Sequence, residues 1–331
     1  ITFNGHGTID GQGYDWWWYT IITAIDNRPH LVVWRRVKSS RIYDVTAENS
    51  PNWTFNIGDL LDVHVKNVTV WVDVTKQKEL LMAHNHWDHH LDIPTFPLNT
   101  DGFDPTGTNI LIENITVQNF DDVVAVKPCS KSCKLSSCTQ NVVVRDAISY
   151  WGVGQTIGSV PPSTNINCVR DVLFENIVQH HPIKGIYIKP NPAKYDQPTA
   201  KGIIQNITYH NVRMYDPLQY AIWISTQQQC QPGGNSCTGC SFLFPLSGKC
   251  PTDPQVTVDG IYFDNVKATG ALTLPGVLNC NITHPCTNYH WKDVHVSGPD
   301  IVQKDWLCWN VVDSSFLNVT PPMHCIKTDG E

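Results

Sequence analysis

One phrase recurs along this chain, an Asn or Asp flanked on both sides by β-branched residues. It reads Val63-His64-Val65-Lys66-Asn67-Val68-Thr69-Val70, then Ile110-Leu111-Ile112-Glu113-Asn114-Ile115-Thr116-Val117. It returns around Asn141, Asn176, Asn206, Asn265 and Asp293, with 47, 27, 35, 30, 59 and 28 residues between successive centres. Short strands joined by residues that tolerate the left-handed conformation, at a period in the twenties to thirties, are what a parallel β-helix needs. No coil of such a solenoid buries its apolar face until a neighbour stacks on it. Leucine-rich repeats would show a Leu-x-x-Leu-x-Leu frame, and propeller blades would need four strands per period, whereas each phrase here holds one clear strand. The two long intervals read as double coils. The expectation is an all-β chain, one β-helical domain over residues 1–331, with a Cys/Gly/Pro-rich insertion at about 227–254 that reads as a disulfide-pinned loop.

Composition fits that reading. Only 16% of the 331 residues are charged, below the roughly 25% of an average globular chain, so charge-driven disorder and long solvated helices are both disfavoured. A net charge of -7 excludes a protein that grips nucleic acid or an anionic membrane by a bulk positive field. No run of about 18 apolar residues spans a membrane. Ile1-Thr2-Phe3-Asn4-Gly5 has neither the basic start nor the apolar run of a signal peptide, so the numbering is expected to begin at a mature or truncated terminus.

Twelve cysteines, none in the first 128 residues, suit an oxidising compartment. The two-residue gap of Cys237-Thr-Gly-Cys240 also allows a zinc knuckle, although no second pair of that look accompanies it. Six Asn-x-Ser/Thr sequons, at Asn52, Asn67, Asn114, Asn206, Asn281 and Asn318, add weight to a secreted, extracellular glycoprotein.

Carboxylates gather in one place. Asn99-Thr100-Asp101-Gly102 is followed twenty residues later by Asn119-Phe120-Asp121-Asp122. Residues one coil apart lie about 4.8 Å apart along a β-helix axis, so Asp101 can meet Asp121 and Asp122 on one face. Adjacent strand residues point to opposite faces, so both members of Asp121-Asp122 reach that face only through a turn or bulge. Acids forced together raise the pKa of at least one, leaving a proton donor beside ionised partners, the division of labour of glycoside hydrolysis. Solvated turn acids or a calcium cluster are the plainer alternatives.

Taken in order, Gly7-Thr8-Ile9-Asp10-Gly11-Gln12-Gly13 with Trp16-Trp17, Asn99-Thr100-Asp101-Gly102, Asp121-Asp122, Gly152-Val153-Gly154-Gln155-Thr156-Ile157-Gly158-Ser159 and Ile186-Tyr187-Ile188-Lys189 resemble glycoside hydrolase family 28, the polygalacturonases and rhamnogalacturonan hydrolases. The resemblance implies a right-handed parallel β-helix of the pectin-lyase-like kind, inverting hydrolysis without cofactor or metal, and a pectic polysaccharide as substrate for a monomer. Asp121 matches the general acid, Asp101 and Asp122 the pair that activates water, and Lys189 the lysine that binds a uronate carboxylate. Asn99, Gln155, Tyr187 and Trp151 are further substrate-binding candidates. Inversion is expected to need carboxyl groups roughly 6.5 to 9.5 Å apart, leaving room for the water.

Two departures stand out. Polygalacturonases carry Gly-His-Gly where this chain has Gly152-Val153-Gly154, and Arg-Ile-Lys where it has Tyr187-Ile188-Lys189. Neither Val nor Tyr imitates the bidentate fork of Arg. Lys189 therefore argues for a uronate on the non-leaving side, while Val153 and Tyr187 argue against one on the leaving side, as in rhamnogalacturonan hydrolases. Tyr187 is then free to stack on a sugar. A polygalacturonase-like hydrolase is the leading expectation, with a rhamnogalacturonan hydrolase, a non-catalytic polysaccharide-binding helix and a pectate lyase using calcium and Arg145 as alternatives. Lys127, Lys184 and Lys189 are the local basic groups that offset the negative field.

The family's cysteine after the Asp pair is Val123 here, and its partner before the Gly-rich motif is also missing; Cys129, Cys133, Cys138 and Cys168 are expected to supply substitute bridges. Cys280 with Cys286 and Cys308 with Cys325 resemble the closing disulfides of the family. Trp16, Trp17, Trp18 and Trp151 are expected as exposed sugar platforms, against the alternative that Trp simply fills core. His84-Asn85-His86-Trp87-Asp88-His89-His90 reads as a polar loop at the cleft rim, with metal binding as the alternative.

Overall fold

The computed structural model describes residues 1–23, 26–75, 96–129, 133–191, 198–225, 227–230, 239–299 and 305–327. Every pairing between its strands is parallel, and the stack runs without a break from the first coils to the last. The long strands Phe55–Trp71, Phe103–Asn119, Thr139–Trp151, Asn167–His180, Gly202–Tyr215, Val256–Thr269 and Cys286–Val296 lie each on the next. Short strands Val124–Val126, Gln155–Val160, Lys184–Pro190, Tyr220–Ser225, Gly276–Asn279 and Leu307–Trp309 form a second row. This is the expected parallel β-helix.

Left-handed corners shape each coil. Asn141, Asp146 and Trp151 on one coil, Asp171, Asn176 and His181 on the next, and Asn206, Asn211 and Asp216 on the third all have φ between 51° and 63°. Asn and Asp tolerate that region because their short polar side chains bond locally. The centres of the recurring phrase are such corners, with φ from 50° to 58°. Between corners, alternate β-branched side chains turn inward and are buried from Ile42 through Val294, stacked rings among them: Phe55 on Phe103 at 4.9 Å, Phe174 on Tyr209 at 4.8 Å.

The corners stack in columns, and the centres of the recurring phrase fall in two of them, a division the sequence phrase blurred. In one column Asn67 donates to Asp44 at 2.8 Å, Asn114 to Asn67 at 2.6 Å, Asn176 to Asp146 at 3.0 Å and Asn211 to Asn176 at 2.8 Å. Asn141 and Asn206 stand in the other, donating to Asn109 at 2.7 Å and Asp171 at 2.6 Å. Intervals measured across columns were therefore not coil lengths. The long intervals are not double coils either, because Phe55–Trp71 pairs directly with Phe103–Asn119, and Gly202–Tyr215 directly with Val256–Thr269. Each is one coil carrying an excursion.

The excursion after Ser225 is a pinned loop, as expected. Cys240 bonds Cys250, which removes one ligand of the zinc reading; Cys237 lies outside the described residues. Cys129 pairs with Cys133, Cys138 with Cys168, Cys280 with Cys286 and Cys308 with Cys325. At the other end the helix Tyr14–Thr23 covers the stack. Trp17 is 1% exposed, its Nε1 donates to Ser50 O at 3.1 Å, and it packs with Tyr14, Val72 and Phe120. It is a core side chain rather than a sugar platform. Trp16 is half-buried on the same helix.

Candidate active site

Strand Phe103–Asn119 ends just before Asp121-Asp122, and the chain turns before entering Val124–Val126. That turn breaks the alternation, so both acids face one side. Gly102 lets the coils close up, since a Cβ there would meet Val123 O at 2.4 Å. Asp101 then stacks beside the pair. The three carboxylates offer oxygens that all lie within 4.8 Å of one another, the rise of a single coil.

Each acid has its own setting. Asp121 Oδ2 accepts from Asn99 N at 2.9 Å, and its Oδ1 from Asp122 N at 3.0 Å. Burial, then the neighbouring Asp122 charge, raises its carboxyl above the usual range. Asp122 is ion-paired with Lys189 Nζ at 2.5 Å and accepts from Thr156 Oγ1 at 2.8 Å. Asp101 is pushed well above the usual range by burial and by Asp104, Asp121 and Asp122. Two acids whose carboxyls are raised thus sit beside one that is ion-paired with Lys189, an arrangement that brings together groups suited to giving and taking a proton. The same cluster has the spacing of a cation site, but an ammonium already holds one of its oxygens.

Sequence reasoning missed three supports. Arg28, bonded to Asp26 at 2.8 Å, donates to Leu98 O at 2.6 Å and Asn99 Oδ1 at 3.1 Å, so it fixes the turn that holds Asp121. Asn119 Nδ2 bonds Thr100 O at 3.1 Å and Asp122 O at 2.7 Å, tying the two acid-bearing turns together. Asp104, raised to about 6 mainly by burial, lies 3.1 Å from Lys127, which spans to the Trp53 ring at 4.5 Å. Asp104 was legible in principle, two residues past Gly102. Arg28 carried no signal, because nothing in its local sequence marks a contact 71 residues away.

Other expected residues are placed differently. Gln155 is wholly buried and turned into the coil interior, so it offers no surface to a sugar. Tyr187 is 4% exposed and packs under the insertion with Tyr220, Trp223, Phe244 and Val277; its hydroxyl accepts from Gln229 N at 3.1 Å. Little of its ring is left to stack on a sugar. Trp151 is exposed, at a left-handed corner and tilted over His181 at 5.2 Å, but it does not line the pocket beside Asp121. Arg145 is committed to Glu113 at 2.9 Å, which leaves the lyase reading without its base. Residues 84–90 lie outside the described residues.

Toward the C-terminal coils Asp121 opens on a pocket of about 580 Å³. Val153, Lys184, Tyr187 and Lys189 line it with Asp121, and Gln228, Phe242, Leu243 and Leu246 of the insertion close it. Lys189 and Tyr187 therefore line the same pocket.

The profile of Glycosyl hydrolases family 28 matches residues 1–316. The chain belongs to that family. Among curated relatives, the probable exopolygalacturonase C of Aspergillus niger is 23% identical over 92% of this chain and 65% of its own length, and that of Aspergillus terreus is 25% identical over 92% and 66%. The chain thus spans about two thirds of the length of the curated relatives it matches. Among solved structures, a polygalacturonase from Erwinia carotovora superposes with TM-score 0.62 at 21% identity, covering 95% of this chain and 70% of that one. A family 28 exopolygalacturonase from Yersinia enterocolitica gives 0.58 at 13%, covering 99% and 58%. These likenesses establish the β-helical fold. No helix among the described residues is long and apolar enough to cross a membrane.

Proposed function

We propose that this family 28 member is a secreted, monomeric, single-domain hydrolase that removes uronic acid units from the end of a galacturonan chain. The observation that carries it is the three-acid cluster whose Asp121 lines a pocket that residues of the insertion, Gln228, Phe242, Leu243 and Leu246, line as well. Asp121 gives its proton to the glycosidic oxygen, Asp122 takes one from water, and Asp101 supports the cluster. A pocket walled by an inserted loop suits exo action, in line with the names of the Aspergillus relatives. Five disulfides among the described residues support an oxidising, extracellular setting.

The test is Asp121→Asn assayed for reducing ends released from polygalacturonate. A loss of roughly 10²- to 10⁴-fold in kcat is expected for removal of a general acid. Unchanged release would return the chain to the non-catalytic reading. Rhamnogalacturonan run beside it separates the two pectic substrates, and product size separates exo from endo action.

The family resemblance carries inversion at the anomeric carbon. The anomer present in the first minutes of turnover, read by proton NMR, tests it.

A further inference from the structure

Among the described residues Lys184 has no acidic partner within ion-pair distance. It opens the strand Lys184–Pro190 at the mouth of the pocket beside Asp121, 4% exposed. Its ammonium lies 4.8 Å from the Tyr187 ring centre and 5.7 Å from that of Phe242 in the insertion. No carboxylate oxygen comes within ion-pair distance of it among the described residues, whereas Lys189 is bonded to Asp122 and Lys127 to Asp104. A buried ammonium held between two ring faces is desolvated and available to an anion.

We infer that Lys184 binds the carboxylate of the uronic acid residue seated against Asp121, taking over the charge recognition that an arginine at position 187 would have supplied. Three residues separate the two positions, and Tyr187 serves instead as the wall that fixes the ammonium. Because the insertion contributes Phe242 to that cage, the subsite is complete only with the loop in place. Burial and the facing Lys189 charge lower the Lys184 ammonium to about 7, against the opposing pull of Asp121 and Asp122. An arriving carboxylate favours its charged form.

This rests on the hydrolase reading, and the experiment separates the two. Asp121→Asn protein, which holds substrate without cleaving it, is titrated calorimetrically with trigalacturonate and with its carboxyl-reduced counterpart, before and after adding Lys184→Met. The expected result is a rise of about tenfold or more in Kd for the uronate, the size of a lost charge-assisted bond, with the reduced oligomer unaffected. Lys184→Arg, added to the same background, restores most of the uronate affinity. Equal losses for both oligomers, or no loss for either, overturn the inference. The hydrolase reading fails separately, if the wild-type chain releases no reducing ends from polygalacturonate.

Discussion

Toward the C-terminal coils, Asp121 opens on the 580 Å³ pocket, where the Lys184 ammonium lies between the rings of Tyr187 and Phe242. Toward the N-terminal coils lies a smaller pocket of about 420 Å³ whose lining includes Arg35, Arg36, Trp53, Asp104 and Lys127. Both present positive charge, but in different media. Arg35 and Arg36 are exposed, so their pull on a polyanion is long-ranged, screened beyond about 8 Å at physiological salt, and tolerant of geometry. Lys184 acts only on contact and is screened little. An acidic protein can therefore hold an acidic polymer with one flank that gathers and one that discriminates.

The largest effect that would sharpen this contrast is expected at Lys189. Replacing it with Met leaves Asp122 buried without its ammonium, and breaking such a pair costs about 3–5 kcal/mol of stability. Thermal melting should register that loss together with a collapse of kcat, whereas Arg36→Ala should leave both almost unchanged. Retained melting temperature in the Lys189 variant would show that the cluster does not depend on the pair.

pH separates the flanks next. Asp121 has its proton-bearing form extended upward, since burial and Asp122 raise its carboxyl, so kcat/KM should be highest at mildly acidic pH and fall as that proton leaves. Lys184 discharges through about 7, against its facing groups Lys189, Asp121 and Asp122, so uronate binding in the insertion pocket weakens in the same direction. A rate profile rising toward pH 8 would contradict the assignment of Asp121.

Opening the Cys240–Cys250 bridge with a double Ser variant should loosen the roof. Bridges of this size contribute roughly 2–4 kcal/mol, here to a loop rather than the stack, so the coils stay folded while longer products appear among the monomers. Chromatography of a polygalacturonate digest reads the change. The smallest effect belongs to Arg36→Ala, a two- to threefold rise in KM for the polymer that should vanish at about 0.5 M salt, where screening is short.

How much of this was legible in the sequence differs between backbone and surface. Corners announce themselves locally, because Asn at a left-handed φ is a single-residue requirement, and the acids announce themselves as a family pattern. The column to which a corner belongs does not, since Asn67 and Asn141 look alike but bond to different neighbours. The pockets were legible least. Tyr187 and Gln155 occupy family motif positions, yet their exposure is set by chain far from them: Gln229 reaches back 42 residues to cap Tyr187, and inward alternation opposite Ile186 decides Gln155. Lys184 could be named as a nearby charge, but that no acid among the described residues lies within ion-pair distance of it is a property of packing alone.

The corner columns coincide with four of the chain's Asn-x-Thr sequons. Asn67, Asn114, Asn206 and Asn318 are exposed corners with φ from 50° to 57°, each followed by a Val or Ile that turns inward and a Thr that turns outward. That order of residues is dictated by the bend, and it also spells an oligosaccharide acceptor. The solenoid therefore writes sugar-attachment signals along its edge as a by-product of turning, three of them in one file. An attached glycan would still leave each amide one hydrogen for the rung below, so decoration and scaffold can share the same nitrogen.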